Sequence, residues 1–235
     1  NRMNMLDGVA VTLDANGNLT NQGTRIYNYS AANHLVSAYN RTTLRGSYQY
    51  NGLSQRSSKT VGTTTTNFKY GLNSELLVET TGTVSREYIY LDGQPLAMLE
   101  ITSGNLATSK LYYIHNDHLG TPKAVTDVSG VKVWGATHDP FGAATISPAT
   151  IVFNLRMPGQ YFDLETGLYY NLHRYYDPNT GRYISSDPIG ILKYTLDPMF
   201  NEYGVAPTQE SLLKSLNHPY AYVENNPLNG IDPLG

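Results

Sequence analysis

The chain of 235 residues contains no cysteine. That excludes disulfide staples, thiolate zinc sites and cysteine nucleophiles together. Charge is scarce as well: Asp, Glu, Lys and Arg make up 15% of the residues, below the roughly 25% of an average globular domain. With 16 basic against 19 acidic residues and a net charge of −3, nothing draws the chain electrostatically to nucleic acid or an anionic membrane. Low charge beside 40% hydrophobic content argues against intrinsic disorder, which needs the opposite balance. No apolar run approaches the about 18 residues of a membrane span, and no signal-peptide pattern is visible. Tryptophan and phenylalanine are sparse too, at 1 and 5, whereas tyrosine numbers 20 and glycine 21. Tyrosine suits half-buried strand positions, where the ring packs and the hydroxyl reaches a partner. The chain opens on Asn1-Arg2 rather than methionine, so a fragment or processed product is expected.

The tyrosines are periodic. Tyr27-Asn28-Tyr29, Tyr48-Gln49-Tyr50, Phe68-Lys69-Tyr70, Tyr88-Ile89-Tyr90 and Tyr112-Tyr113 place an aromatic at 29, 50, 70, 90 and 113. Steps of that size equal two strands plus two turns. Side chains alternate along a strand, so each Tyr-x-Tyr puts both rings on one face. Turn residues follow: Asp14-Ala15-Asn16-Gly17-Asn18, Asn51-Gly52, Gly71-Leu72-Asn73 and Asp92-Gly93. Asn-Gly and Asp-Gly supply the positive φ of tight hairpin turns. Val61 to Thr66 reads as a β-branched tip or return strand, and Lys123 to Trp134 as a hairpin around Ser129-Gly130. No segment before residue 200 has helical periodicity. The tail differs: Thr208 can cap a short helix carrying Leu212, Leu213 and Leu216, before Pro219, Pro227 and Pro233. A mainly β fold of repeated hairpins with an irregular closing segment is expected.

Leu13-Asp14-Ala15-Asn16-Gly17-Asn18-Leu19, with Tyr29 through Ala38, resembles the tyrosine–aspartate (YD) repeats of the Rhs family, with Ser30 and His34 where the pattern has Asp and Arg. Tyr112-Tyr113-Ile114-His115-Asn116-Asp117-His118-Leu119-Gly120-Thr121-Pro122 is similar to the signature of the Rhs-repeat-associated core. Asp139-Pro140-Phe141-Gly142, Pro158-Gly159-Gln160-Tyr161, Glu165-Thr166-Gly167-Leu168-Tyr169-Tyr170-Asn171, Arg174-Tyr175-Tyr176-Asp177-Pro178 and Gly181-Arg182-Tyr183-Ile184-Ser185-Ser186-Asp187-Pro188 continue it. The resemblance implies part of a curved or spiralling β-sheet cage of the Rhs, Tc-toxin C and teneurin type. It divides the chain into YD hairpins of the wall (1–111), the core signature (112–190) and a C-terminal segment with an inserted excursion (191–235). In bacterial members such a cage holds a C-terminal toxin domain of the same parent chain, which the core cuts free. The implied partners are that toxin domain, the remaining shell segments and a secretion or delivery component. The implied location is secreted or at a bacterial surface.

Two Asp-Pro-x-Gly copies, Asp187-Pro188-Ile189-Gly190 and Asp232-Pro233-Leu234-Gly235, resemble the family's autoprotease pair, with the cut expected just beyond Gly235. Two close carboxylates share a proton, so one can act as general base on water while the other donates to the scissile carbonyl. Asp177 is a third candidate, and Arg174 and Arg182 are candidates to orient or charge-balance the carboxylates. Against this stands the ordinary use of Asp-Pro as a turn former. The copies are separated by 41 residues, more than in the resembling pattern, so an insertion within residues 191–217 must loop out if the pair is to meet; otherwise proteolysis is lost. A non-catalytic adhesion or glycan-binding array is the alternative. His115, Asp117 and His118 read as a hydrogen-bonding turn rather than a metal site. Ser185-Ser186 lacks a serine-hydrolase context, and Asn18, Asn28 and Asn40 head glycosylation sequons that matter only in a secretory pathway. No cofactor or metal is expected.

Overall fold

The computed structural model of the protein describes residues 4–6, 8–187 and 219–235. The helix expected around Thr208 and the remainder of the first Asp-Pro-x-Gly copy lie outside the described residues. Fifteen strands, from β1 (Met5–Leu6) to β15 (Ala144–Ala149), form one antiparallel sheet in which each strand pairs with the next in sequence. Four more strands, β16 (Tyr161–Asp163), β17 (Leu168–Asn171), β18 (Arg174–Asp177) and β19 (Arg182–Tyr183), make a second sheet in the same sequential order. The expected mainly β, hairpin-repeat fold is what the chain adopts.

The Tyr-x-Tyr spacing acts as alternation requires. Tyr27, Tyr48, Phe68 and Tyr88 are buried on the core face of the large sheet. There they pack with Tyr161, Leu168, Tyr170 and Tyr175 of the small sheet. In three of the four pairs the second ring does another job, whereas the Tyr29 hydroxyl is buried without a hydrogen-bond partner among the described residues. Tyr50 Oη donates to Leu35 O at 2.8 Å, Tyr70 Oη to Arg56 O at 3.0 Å and Tyr90 Oη to Leu76 O at 3.0 Å. Leu35, Arg56 and Leu76 are the first residues of β5 (Leu35–Asn40), β7 (Arg56–Val61) and β9 (Leu76–Thr81). Three successive units are therefore stitched at the same point by a ring that also carries a hydroxyl donor. The series changes phase at its last member. Tyr112 and Ile114 are buried while Tyr113 is 44% exposed, so Ile114, two residues on from Tyr112, takes the place of the second aromatic.

The two rims carry different turns. One rim bears tight turns with a left-handed residue, as at Gly23, Arg41, Gly62 and Gly82. The other bears mainly five-residue loops, in four of which a short polar side chain accepts two backbone N–H groups. Asp14 Oδ1 accepts from Asn16 and Asn18, and Asn51 Oδ1 from Leu53 and Gln55. Asp117 and Asp139 do the same. Asn51-Gly52 is thus not the tight turn expected from its sequence. The left-handed residue is Ser54, with φ 63°, because Asn51 directs its side chain into the loop and closes it two residues later.

The small sheet has two buried faces, and every residue of β17 and β18 is buried. One face meets the large sheet. The other carries Tyr169, Tyr176 and Tyr183, which cluster with Tyr222 of the returning C-terminal segment. That segment is positioned by Tyr183 N donating to Tyr220 O at 2.9 Å and Asp187 N donating to Pro219 O at 2.9 Å. The chain on either side of residues 188–218 is therefore joined by a backbone hydrogen bond. Loop closure costs little extra as a loop lengthens, so an excursion can be inserted there while its flanks stay fixed.

Candidate active site

The hairpin of β17 and β18 turns through Leu172 and His173, with Asn171 and Arg174 facing each other as its last paired residues. Residues 232–235 lie against this tip. Leu234 O accepts from His173 N at 3.3 Å, and Asp232 O accepts from Asn171 Nδ2 at 2.8 Å. The fit is close. A Cβ on Gly235 would overlap Asn171 O, and one on Gly159 would overlap Pro233 O. Gly159 also has φ 80°, so both the backbone angle and the neighbouring chain require glycine there.

Arg174 joins the two motif aspartates. Its Nη2 is 3.1 Å from Asp232 Oδ2 and 3.6 Å from Asp187 Oδ2. The two carboxylate oxygens therefore lie no farther apart than the sum of those distances, within reach of closure about one water or one substrate carbonyl. Burial is uneven: the Arg174 side chain is 5% exposed, Asp232 26% and Asp187 36%. The guanidinium is anchored from beneath, while the acids remain open to solvent or substrate. Nη1 also donates to Pro219 O at 3.3 Å, tying the site to the returning chain.

Asp232 is held on both oxygens. Oδ1 accepts from Gly235 N at 3.0 Å, and Oδ2 accepts from Tyr183 Oη at 2.7 Å as well as from Arg174. The Tyr183 hydroxyl is itself fixed by Asn171 Nδ2 at 2.9 Å. Burial, reinforced by the negative charge of Asp232, pushes the Tyr183 phenol well above its ordinary value despite Arg174. It remains a donor at any working pH.

The other candidates are elsewhere. Asp177 sits at the opposite end of β18 from Arg174, where Oδ2 pairs with Arg25 Nη1 at 3.3 Å and Oδ1 caps its own turn through Asn179 N at 3.0 Å. Arg182 faces Asp177 across β18 and β19 and makes no ion pair among the described residues; it lines a small apolar pocket with Leu13, Leu19 and Ile184. His115 Nε2 bonds Thr126 Oγ1 at 3.0 Å, and His118 Nε2 bonds Leu228 O at 3.1 Å. Among the described residues no group of three or more His, Cys, Asp or Glu is placed to hold a metal. Tyr183 and Asn171 went unassigned in the sequence, although both stand inside quoted motifs. Asn171 is marked in the sequence only as the polar end of an otherwise Leu-Tyr-Tyr strand, and Tyr183 is one tyrosine among many.

A second charge cluster lies between the sheets. Arg56 forms a bidentate pair with Asp163, one bond of which is Nη2 to Oδ1 at 3.0 Å, and both side chains are fully buried. Lys59 Nζ reaches Asp163 Oδ1 at 2.9 Å and Glu165 Oε2 at 3.2 Å. The guanidinium is surrounded by Tyr48, Phe68, Tyr161, Tyr170 and Tyr175, the nearest ring centroid being 4.3 Å away. Burial alone would raise the Asp163 carboxyl, but Arg56 and Lys59 hold it below its ordinary value.

A long sequential antiparallel sheet stitched by tyrosines and closed on a small tyrosine-rich sheet defines the class: a repeat-built β shell wall. The teneurin YD-shell family matches residues 1–227, and the chain belongs to that family; it is a YD shell of the Rhs and Tc-toxin type. It is similar to the toxin protein Tse5 of Pseudomonas aeruginosa, at 34% identity over 64% of this chain and 10% of the relative. It is similar to the tRNA nuclease WapA of Bacillus subtilis, at 30% identity over 100% of this chain and 9% of the relative. Among solved structures, the TcdB2–TccC3–Cdc42 crystal structure matches 95% of this chain and 11% of that one, with a TM-score of 0.69 and 21% identity. The chain thus spans about a tenth of the length of these relatives. No helix of the described residues is long and apolar enough to cross a membrane.

Proposed function

We propose that this chain is the closing part of a shell that encloses a toxin domain borne C-terminally on the same parent chain, and that it cuts that domain free in cis. The observation that carries this reading is Arg174, whose single Nη2 meets Asp187 and Asp232 beside the docked residues 232–235. In the proposed step, one carboxylate takes a proton from water as its oxygen attacks the carbonyl of the peptide bond just beyond Gly235. The other carboxylic acid donates to the carbonyl oxygen, giving a tetrahedral diol. Collapse of the diol breaks the C–N bond: the carboxyl that took the water proton gives it to the leaving nitrogen, and a diol hydroxyl returns its proton to the other carboxylate, restoring the pair. Arg174 balances the negative charge of the pair and sets their spacing. Substrate and catalyst are one chain, so proximity is supplied by folding.

The part-exposed acids gathered on one arginine and the tightly fitted tail support this role, even though Asp232 Oδ1 also accepts from Gly235 N within its own turn, as Asp117 and Asp139 bond within theirs. The Tse5 and WapA names of similar proteins support a toxin as the cargo, and the reading places the parent protein outside the producing cell as a delivered effector. The test is expression of the parent sequence with residues beyond Gly235, followed by intact mass. A cut close after Gly235 in the unaltered chain, lost in Asp187→Asn and in Asp232→Asn, is the expected result. An uncut parent chain, or cutting that survives both substitutions, defeats the proposal.

A further inference from the structure

Tyr183 touches both halves of the candidate site. Its hydroxyl donates to Asp232 Oδ2 at 2.7 Å, and its ring lies under the Arg174 guanidinium with Cζ 3.6 Å from the centroid. The hydroxyl accepts from Asn171 Nδ2 at 2.9 Å, which turns its own proton toward the carboxylate. The ring is 3% exposed and is wedged against Tyr176 and Tyr222, with centroids at 5.6 and 6.1 Å. Its backbone N–H holds Tyr220 O, next to Pro219, whose carbonyl takes Arg174 Nη1 and the Asp187 amide.

We infer that Tyr183 is the positioning residue of this site, its hydroxyl fixing the Asp232 carboxylate and its ring face carrying Arg174. This rests on the proteolytic reading above. Arginine and Asp232 are long or rotatable side chains on different segments, and a guanidinium on an apolar shelf has no unique orientation. A rigid ring with a hydroxyl at its far edge fixes both at once: the face sets where the cation sits, and the edge sets where the anion points. Tyr183 acts on the site through its contacts to Asp232 and Arg174.

The deciding variant is Tyr183→Phe, which keeps the ring and removes the hydroxyl. In the chain extended beyond Gly235, self-cleavage is expected to slow by about tenfold or more, since small misplacements of reacting groups carry penalties of that order. A second measurement needs no cleavage. In the uncut Asp187→Asn chain, adding Tyr183→Phe should raise amide hydrogen exchange at Gly235, whose N–H is held by Asp232 Oδ1, while Met98 and Val125 in the wall core keep their protection. Cleavage at the unaltered rate in Tyr183→Phe overturns the inference and leaves the protease reading standing. Unchanged exchange at Gly235 overturns it whether or not the chain cuts. Failure of the unaltered parent to cut defeats the protease reading itself, and the exchange result then still decides whether Tyr183 holds Asp232.

Discussion

Two buried arginines of this protein hold carboxylates, Arg56 one and Arg174 two, and the exposure of those carboxylates sets them apart. Arg56 and Asp163 are both sealed between the sheets, with Lys59 completing the charge balance and five aromatic rings around the guanidinium. Arg174 is almost as buried, but its carboxylates are 26% and 36% exposed. A buried ion pair with neither partner exposed has no face to offer a substrate. A buried cation holding two half-exposed acids has been positioned from one side and left accessible on the other. Burial of the arginine therefore says little about its use; the exposure of its partners separates a structural joint from a candidate reaction site.

The largest effect that sharpens this contrast is on stability. Asp163→Asn leaves Arg56 buried without its counter-charge, while Lys59 keeps Glu165, and should cost about 3–5 kcal/mol, the range for breaking one side of a buried pair. Asp187→Asn removes an acid that is more than a third exposed and should cost under about 1 kcal/mol. Urea midpoints of the two variants measure both. Equal losses would mean that the two clusters are the same kind of joint.

Acid should discriminate between the clusters in the same direction. The Asp163 carboxyl is held below its ordinary value of 3.8, so the native state favours its charged form. The sign follows from linkage: its contribution is complete above the ordinary value and is lost as pH falls below it toward the folded value. Urea midpoints of the unaltered chain should therefore decline as pH is lowered through and below about 4, and Asp163→Asn should flatten that decline. A decline that Asp163→Asn leaves unchanged would assign acid sensitivity to other carboxylates.

A smaller effect separates the tail from its hairpin. Gly159→Ala places a methyl where Pro233 O lies, at a φ that disfavours any side chain, and should cost about 1–3 kcal/mol if the tail stays docked. If the tail yields instead, stability falls less and exchange at Gly235 rises. Self-cleavage should drop in either case, and a Gly159→Ala chain that cuts at the unaltered rate would remove the hairpin slot from the substrate path.

The wall was largely legible in the sequence because it repeats. Tyr27, Tyr48, Phe68 and Tyr88 announce their strand and their face by spacing alone, since each unit meets the same neighbours as the last. The errors came where a side chain overrode the local pattern, as Asn51 did by closing a five-residue loop in place of a tight turn, and where Tyr113 fell out of phase. The site was legible differently. Its acids stood in matching motifs, but only the structure could tell that Arg174 bridges them, that Asp177 belongs to another joint and that Tyr183 and Asn171 support Asp232. None of those partners is close in sequence to Asp232, so no local spacing could reveal them. The Arg56 cluster escaped notice for the same reason, as Asp163 meets it from a strand more than a hundred residues away.

Asp177 provides the finest test of the contrast between sealed and open charge pairs. Its side chain is 3% exposed while that of Arg25 is 42% exposed, an intermediate case joining the wall to the small sheet. Were Arg25 its only partner, removal would strand a buried anion. Yet Asn179 N and Nδ2 also donate to Asp177 Oδ1, at 3.0 and 3.2 Å, so the carboxylate stays solvated by its own turn. Arg25→Ala should accordingly cost no more than about 1 kcal/mol, as for an exposed pair, and leave self-cleavage unaltered. A loss approaching that of Asp163→Asn would show that the Asn179 turn does not compensate the charge, and that partner exposure alone does not predict how a pair behaves.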